Sequence, residues 1–589
     1  MKSIMEQISG RMKEAFSAAG YDPKYGEVKV SDRPDLCEYQ CNGAMAAAKA
    51  YHKAPFQIAD DVVAQLNGET DGFTAEAVRP GFINIRTGGA FLAAYLEEMA
   101  ADPHFSVPQE TEPKKIVIDY GGPNVAKPLH VGHLRAAVIG ESVKRITRAV
   151  GNDVLGDVHL GDWGLQMGLI ITELKHRRGD LAYFREGASE FPEEAPFTIS
   201  ELEEIYPAAS ARSKEDEAYK AEAMEATHLL QMGHPGYTAL WNQILAVSVA
   251  DLKRNYERLN VTFDLWKSES DAQPYIPALV EDLKARGIAR YDDGALVVDV
   301  SEETDKKEIP PCIVLKSDGA SLYSTTDIAT IVERMKLFAP DEIIYVVDKR
   351  QAMHFVQVFR TVRKAGIVKP ETELVHVGFG TMNGRDGKPF KTRDGGVMRL
   401  EILLDEIVEE MTKKIRDNKN VRAEDARRTA ELVSVAAVKY GDLSNQAAKD
   451  YVFDTDKFTS FEGNTGPYIL YTIVRVKSIL GKAEAADAAA AEEKGTLLAP
   501  ASDAEKALML DIAGLGQAVY GAYEELAPHR ICAYVYQLAN DLNRFYHETK
   551  ILSEEDAVRR ISYLRLLSLA RRAMELCIDL LGFEAPEHM

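Results

Sequence analysis

Apolar positions change their rhythm twice along the chain. At the start, Ile4, Ile8, Met12 and Phe16 recur every four residues and Gly20 follows as a C-cap, which predicts an amphipathic helix. Val62, Val63 and Leu66 share a second helix face, and GFINIR at 81–86 alternates as a strand does. Asp102, Pro103 and Pro108 break the pattern, and TEPKK at 111–115 reads as a linker, so a domain boundary is placed near residue 110. From 116 the apolar residues come in short unbroken runs: 116–118, within 153–159, 343–347 and 374–379. A helix of about 132–150 follows the first run, and another lies between the last two. Strands buried on both faces and separated by helices predict a parallel, nucleotide-binding α/β sheet. The stretch from about 175 to 310 reads as a charged, mostly helical insertion. After 400 only helical periodicity remains, as in Leu400, Leu403, Leu404 and Ile407, or Leu566, Leu569, Ala573, Leu576 and Leu580. Residues 483–494, rich in Ala and Glu, read as an exposed linker or helix extension.

Composition narrows the field. A length of 589 residues implies three or four domains. Apolar and charged fractions of 46% and 28% exclude a disordered, collagen-like or coiled-coil chain. Lys and Arg number 70 against 92 Asp and Glu, a net charge of −22 that excludes a uniformly basic coat for nucleic acid. Any such contact must use local basic patches on an acidic body. No apolar run approaches the roughly 20 residues of a membrane span, and the N-terminus lacks the build of a signal peptide. Five scattered cysteines suit a reducing cytoplasm. Cys37 and Cys41 have ligand-like spacing, but no second pair lies near, so they read as core residues and no metal site is predicted.

The chemistry concentrates in IVIDYGGPNVAKPLHVGHLR, residues 116–135. A buried strand ends at Asp119, and a Gly-Gly-Pro turn lets backbone approach a ligand. His130 and His133 share one face of the first turn of a helix, whose N-terminus offers free N–H groups to a phosphate. Gly132 between them allows close approach of a nucleoside. Imidazole donors at that place suit charge developing on an α-phosphate under in-line attack. Two ordinary histidines in a βα loop are the plain alternative; the strand before and the helix after favour the functional reading.

PNVAKPLHVGHLR resembles the signature region of class I aminoacyl-tRNA synthetases, and of the arginyl-tRNA synthetases in particular. VHLGDWGLQMG (158–168), SLYSTTDIA (321–329), HVGFGTMNGRDGKPFKTR (376–393), FEGNTGPYILY (461–471) and LLGFEAPEHM (580–589) continue the resemblance in order, and CEYQCNGAMAAAK (37–49) is similar to the family's added N-terminal domain. The resemblance implies a multidomain α/β chain: an α+β tRNA-binding domain at 1–110, a Rossmann-type catalytic domain at 111–400 with the helical insertion at about 175–310, and a helical region at 401–589 whose all-α anticodon-binding bundle spans about 455–589. It also implies arginine–tRNA ligase activity with ATP and Mg²⁺, L-arginine and tRNA(Arg) as partners, no membrane, a cytoplasmic location and a monomer. Another class I synthetase, or a catalytically silent tRNA-binding paralogue, is the alternative.

By the same resemblance, His130, His133 and Lys391 are catalytic, with Lys127 a further catalytic candidate from its place just before the histidines, and His130, Gly132, His133, Lys391 and Thr392 hold ATP. Asp119, Asn124, His130, Tyr323, Asp327 and Gln351 receive arginine. A guanidinium has five donors and no acceptor, so its pocket needs carboxylates and carbonyls. Tyr323 and Asp327, four apart, fit one helix face, and Gln351 begins the helix after the 343–347 strand. A buried tyrosine beside a helix-start acid is the plain reading of that pair. Where most class I enzymes carry a loop with two lysines, this chain reads Phe390-Lys391-Thr392-Arg393 and lacks the second lysine; Lys127 is the candidate replacement. In the C-terminal helices Arg475, Lys477, Arg530, Tyr534, Tyr536, Asn543, Arg544 and Tyr546 mix charge with stacking surface, as single-stranded loops require, with about half of the aromatics expected in the core.

Overall fold

The computed structural model describes residues 1–66, 72–388, 398–416, 422, 424–493 and 495–589. The chain divides into two units: unit one is Met1–Glu110, Phe461–Leu580 and Glu584–Met589, and unit two is Thr111–Ser460 with Leu581–Phe583.

Unit two is built on a five-stranded, wholly parallel sheet. Its principal elements are β1 (Lys115–Tyr120), α1 (Val131–Ala149), β2 (Asp153–Leu160), α2 (Leu165–Arg177), α3 (Ile199–Glu215), α4 (Pro235–Arg258), β3 (Leu265–Ser268), α5 (Tyr323–Leu337), β4 (Glu342–Asp348), α6 (Ala352–Lys364), β5 (Glu373–Phe379), α7 (Leu400–Arg416) and α8 (Ala426–Leu443). The spatial order β5-β4-β1-β2-β3 is the doubly wound arrangement, with its switch point beside β1. Ile116, Val117 and Ile118 are fully buried, as a central strand covered on both faces demands. Alternation sends Val117 and Asp119 to the face covered by α5 and α6, where Ile328, Ile331, Phe355 and Val358 complete a core. Tyr120 points to the opposite face and donates to Glu141 on α1 at 2.9 Å.

The register sets up the chemistry. Leu265, Asp157, Asp119, Tyr345 and His376 lie side by side across the five strands. Two carboxylates therefore stand on neighbouring strands of one face.

The stretch 175–310, expected to be mostly helical, is helical as far as Arg258 and again at Glu269–Ala272 and Ile276–Ala285, but it also contains strands. Leu265–Ser268 then joins the parallel sheet as an edge strand, and Ala289–Asp292, Ala295–Val298 and Cys312–Leu315 form a separate antiparallel sheet. Asp293 and Gly294, at φ 44° and 83°, make the tight turn between the first two of these.

Unit one holds a four-stranded antiparallel sheet, in the order Val28–Val30, Tyr39–Cys41, Phe82–Thr87 and Phe73–Val78, and a set of helices from both chain segments. The C-terminal segment supplies Gly466–Lys482, Asp503–Ala513, Leu515–Glu524, His529–Glu548 and Ala557–Leu580. Of the linker or helix extension expected over 483–494, the structure forms a short, partly exposed helix of its own, Ala485–Ala491, with Asp487 fastened to Arg560. All five cysteines are free and buried; Cys37 and Cys41 donate to Ser31 Oγ and the Tyr25 carbonyl. No described helix is long and apolar enough to cross a membrane.

Candidate functional site

The carboxyl ends of the sheet strands carry the candidate residues. After β1 the chain turns through residues 121–130 and enters α1, with His130 as its N-cap. The His130 ring accepts the Gly132 N–H at Nδ1 (3.0 Å), and the His133 ring accepts the His130 N–H at Nδ1 (3.2 Å). The rings stack with centroids 3.7 Å apart. With each Nδ1 acting as acceptor, a neutral ring carries its proton on Nε2, so both present an N–H donor. Burial pushes both imidazoles down, with Lys127 adding to the effect, and His133 reaches about 3. Near neutral pH they are uncharged donors beside a helix N-terminus. A Cβ at Gly132 would lie 2.7 Å from the His130 ring, so the motif's glycine is set by the ring itself.

The segment containing Lys391 and Thr392 is anchored at both of its flanks next to α1. On one side Arg135, buried in α1, donates to the Gly380 carbonyl at 2.7 Å and to Asp442 at 3.0 Å. On the other, Val131 N–H donates to Met398 O at 3.0 Å and Leu400 N–H to Leu129 O at 2.8 Å, and Arg399 bridges to His130. Lys391 and Thr392 themselves lie outside the described residues.

Asp119, at the end of β1, has an internal partner. Arg334 on α5 donates to Asp119 Oδ2 at 2.5 Å and Asp157 Oδ2 at 2.7 Å, spanning the two neighbouring carboxylates. Arg334 and Asp157 are fully buried, and this pairing raises the guanidinium further above its usual range despite desolvation. Asp119, Asp157 and His159 bring potential ligand atoms within 4.8 Å of one another, but the guanidinium already answers the two negative charges, so the set does not fit a resident divalent ion.

Asp327 and Tyr323 both lie on α5, as their spacing predicts. Asp327 Oδ2 sits 2.5 Å from His354 Nε2 on α6, and Tyr323 is 74% exposed at the start of its helix. Gln351 is exposed in the turn after β4 and makes no side-chain hydrogen bond among the described residues. Asn124 is exposed, and its Oδ1 lies where a side chain at Gly161 would put its Cβ, so Gly161 makes room for it. Lys127 rests its ammonium 4.3 Å from the Tyr206 ring centre on α3; burial alone lowers it, and no carboxylate pairs with it among the described residues.

Glu269, directly after β3, escapes the sequence reading. Burial, reinforced by Asp162 and then Asp327, pushes its carboxyl up to about 7. The short helix that begins at Glu269 packs against α5, which carries both Tyr323 and Asp327, so the three belong to one neighbourhood. The carboxyl end of a strand was the signal that could have found Glu269, and β3 itself was not recognised.

In unit one, Arg475 lies 4.8 Å from the Tyr471 ring centre and 5.4 Å from that of Tyr546, and donates to Asn543. Tyr471 and Tyr546 are exposed. Tyr534 instead donates to the Asp511 carbonyl and Tyr536 packs on Tyr468, while Arg530, Lys477 and Arg544 pair with Glu525, Glu587 and Asp541.

Three family models match the chain: the class I (R) tRNA synthetase catalytic domain over 97–455, the DALR anticodon-binding domain over 469–589, and the arginyl tRNA synthetase N-terminal domain over 2–87. Arginine–tRNA ligases of Agathobacter rectalis and Alkaliphilus oremlandii are 60% and 54% identical to it, with 100% of each chain covered. Among solved structures, the arginyl-tRNA synthetases of Plasmodium falciparum and Thermus thermophilus share its fold, at TM-scores of 0.82 and 0.78, 24% identity and full coverage of both chains.

Proposed function

The chain belongs to the arginyl-tRNA synthetase family, and from that membership we propose how its residues divide the joining of L-arginine to tRNA(Arg). ATP activates L-arginine to arginyl-adenylate, and the arginyl group then passes to the 3′ terminal ribose of the tRNA. In the first step the arginine carboxylate attacks the α-phosphate and pyrophosphate leaves. The observation that carries the assignment of roles is the stacked pair His130 and His133, two uncharged N–H donors at the start of α1. They stabilise negative charge that grows on the α-phosphate without the desolvation cost of a buried cation. Gly132 keeps the helix start open to the nucleotide. Lys127 and Lys391 supply positive charge for the phosphates, and Thr392, next to Lys391 in the sequence, contributes to ATP binding. Mg²⁺ arrives with ATP, held by the phosphates.

On the amino-acid side, Glu269 and Asp327 are the carboxylates for the guanidinium, and Tyr323 covers them. Asn124, Gln351 and His130 supply polar contacts to the rest of the substrate. Asp119 acts from the sheet edge with its charge shared by Arg334. The exposed Tyr471, Arg475 and Tyr546 group offers stacking and charge to tRNA bases. The chain acts as a monomer, and its free buried cysteines support a reducing, cytoplasmic setting.

A pocket that pairs a guanidinium leaves buried carboxylates unpaired when offered a neutral isostere, which discriminates by about 10⁴-fold or more. ATP–pyrophosphate exchange with tRNA present will favour arginine over citrulline and over lysine by that order. Comparable use of citrulline overturns the pocket assignment.

A further inference from the structure

The turn of residues 121–130 carries Asn124, Lys127 and His130, yet it is held largely from outside its own strand and helix. Tyr256 Oη on α4 donates to the Gly121 carbonyl at 2.5 Å, and Gln166 on α2 donates to the Val125 carbonyl at 2.8 Å. Between them, Ala126 N–H donates to Ser248 Oγ, also on α4, at 2.9 Å. Ala126 has φ +60°, a conformation that a residue with a Cβ seldom takes, and it is fully buried. Ser248 is itself 1% exposed, and its hydroxyl donates to the Ile244 carbonyl at 2.7 Å, leaving its lone pairs for the Ala126 N–H. Without Ser248 that N–H would be buried and unpartnered, and the left-handed turn would lose the contact that offsets its strain.

We infer that Ser248 is a positioning residue for arginine activation: its hydrogen bond to the Ala126 N–H fixes the left-handed turn that presents Asn124, Lys127 and His130 to the substrates. The inference rests on the assignment of those three residues to the site.

The test uses the full-length protein in ATP–pyrophosphate exchange with tRNA present. Ser248→Ala lowers kcat/KM for arginine roughly 10-fold, the scale of one misplaced contact, while KM for tRNA stays within about 2-fold. Wild-type turnover of S248A, or a loss confined to tRNA KM, overturns the inference. Should S248A not fold, Ser248→Cys keeps the shape with a weak acceptor and must show the same loss; wild-type turnover there is equally decisive against it. Lys127→Ala runs alongside. If K127A is impaired and S248A is not, the inference fails alone; if neither is impaired, the site assignment fails too.

Discussion

Glu269 and His133 are displaced in opposite senses by the same cause. Burial penalises the charged form, which raises the carboxyl to about 7 and lowers the imidazole to about 3. A guanidinium favours ionised Glu269, so arginine binding expels a proton when the pH is near or below 7. Only the ionised fraction binds well, and that fraction falls roughly 10-fold between pH 8 and pH 6 for a group at about 7. KM for arginine is therefore expected to rise by about that factor on acidification. Glu269→Gln raises KM at pH 8 and flattens the profile, because the group that titrates near 7 is gone and His133, held at about 3, does not titrate in that window. A profile with the same slope in E269Q would remove Glu269 from the pocket. The histidines were legible in the sequence because strand, glycine turn and helix start surround them. Arg334, 215 residues from Asp119, was not, since only sheet register brings Asp119 and Asp157 side by side beneath α5.

Strands with an unbroken apolar run announced themselves, the edge strand β5 included; the edge strand β3 did not. The β1 and β4 strands read as apolar runs, whereas the LWKS of β3 pairs on one side only and carries too little pattern to separate it from the preceding helices. The Asp293-Gly294 turn was a usable hairpin signal that the surrounding charge concealed. The same scale governs Lys127, in the connection between β1 and α1. Pro128 disfavours a helical backbone at Lys127, and Tyr206 supports the ammonium from α3. Removing one preorganised charged donor commonly costs about 10²–10³ in rate. Lys127→Ala is expected to lower kcat of pyrophosphate exchange by that factor with little change in arginine KM. Loss of tRNA affinity alone, with exchange intact, would reassign the lysine to tRNA contact.

At the scale of the whole molecule, unit one depends on a buried pair drawn from both of its chain segments. Arg565 donates to Glu97 at 3.0 Å, each less than one-tenth exposed, and Glu97 also accepts the Leu497 N–H at 3.0 Å. Glu97→Ala leaves a buried guanidinium short of its partner, a loss of about 3 kcal/mol, to be read from the denaturant midpoint of unit one. An unshifted midpoint would mean that water or Glu492 compensates. A net charge of −22 makes binding of a polyanion a local matter, and the exposed Tyr471, Arg475 and Tyr546 group is one such locality.

The two-segment make-up of unit one also governs how the protein comes into being. Residues 1–110 emerge from the ribosome long before the segment that completes their unit, which begins at Phe461. About 350 residues must be translated in between, which at 5–20 residues per second takes about 20–70 s. For that interval the N-terminal sheet waits with Glu97 unmatched, while most of unit two is already available to fold. Unit two in turn receives Leu581–Phe583 only after residues 461–580 have been made. Completion of both units thus waits until the chain has passed residue 580, and a nascent chain stalled within 111–460 would display an unfinished N-terminal surface to chaperones and proteases.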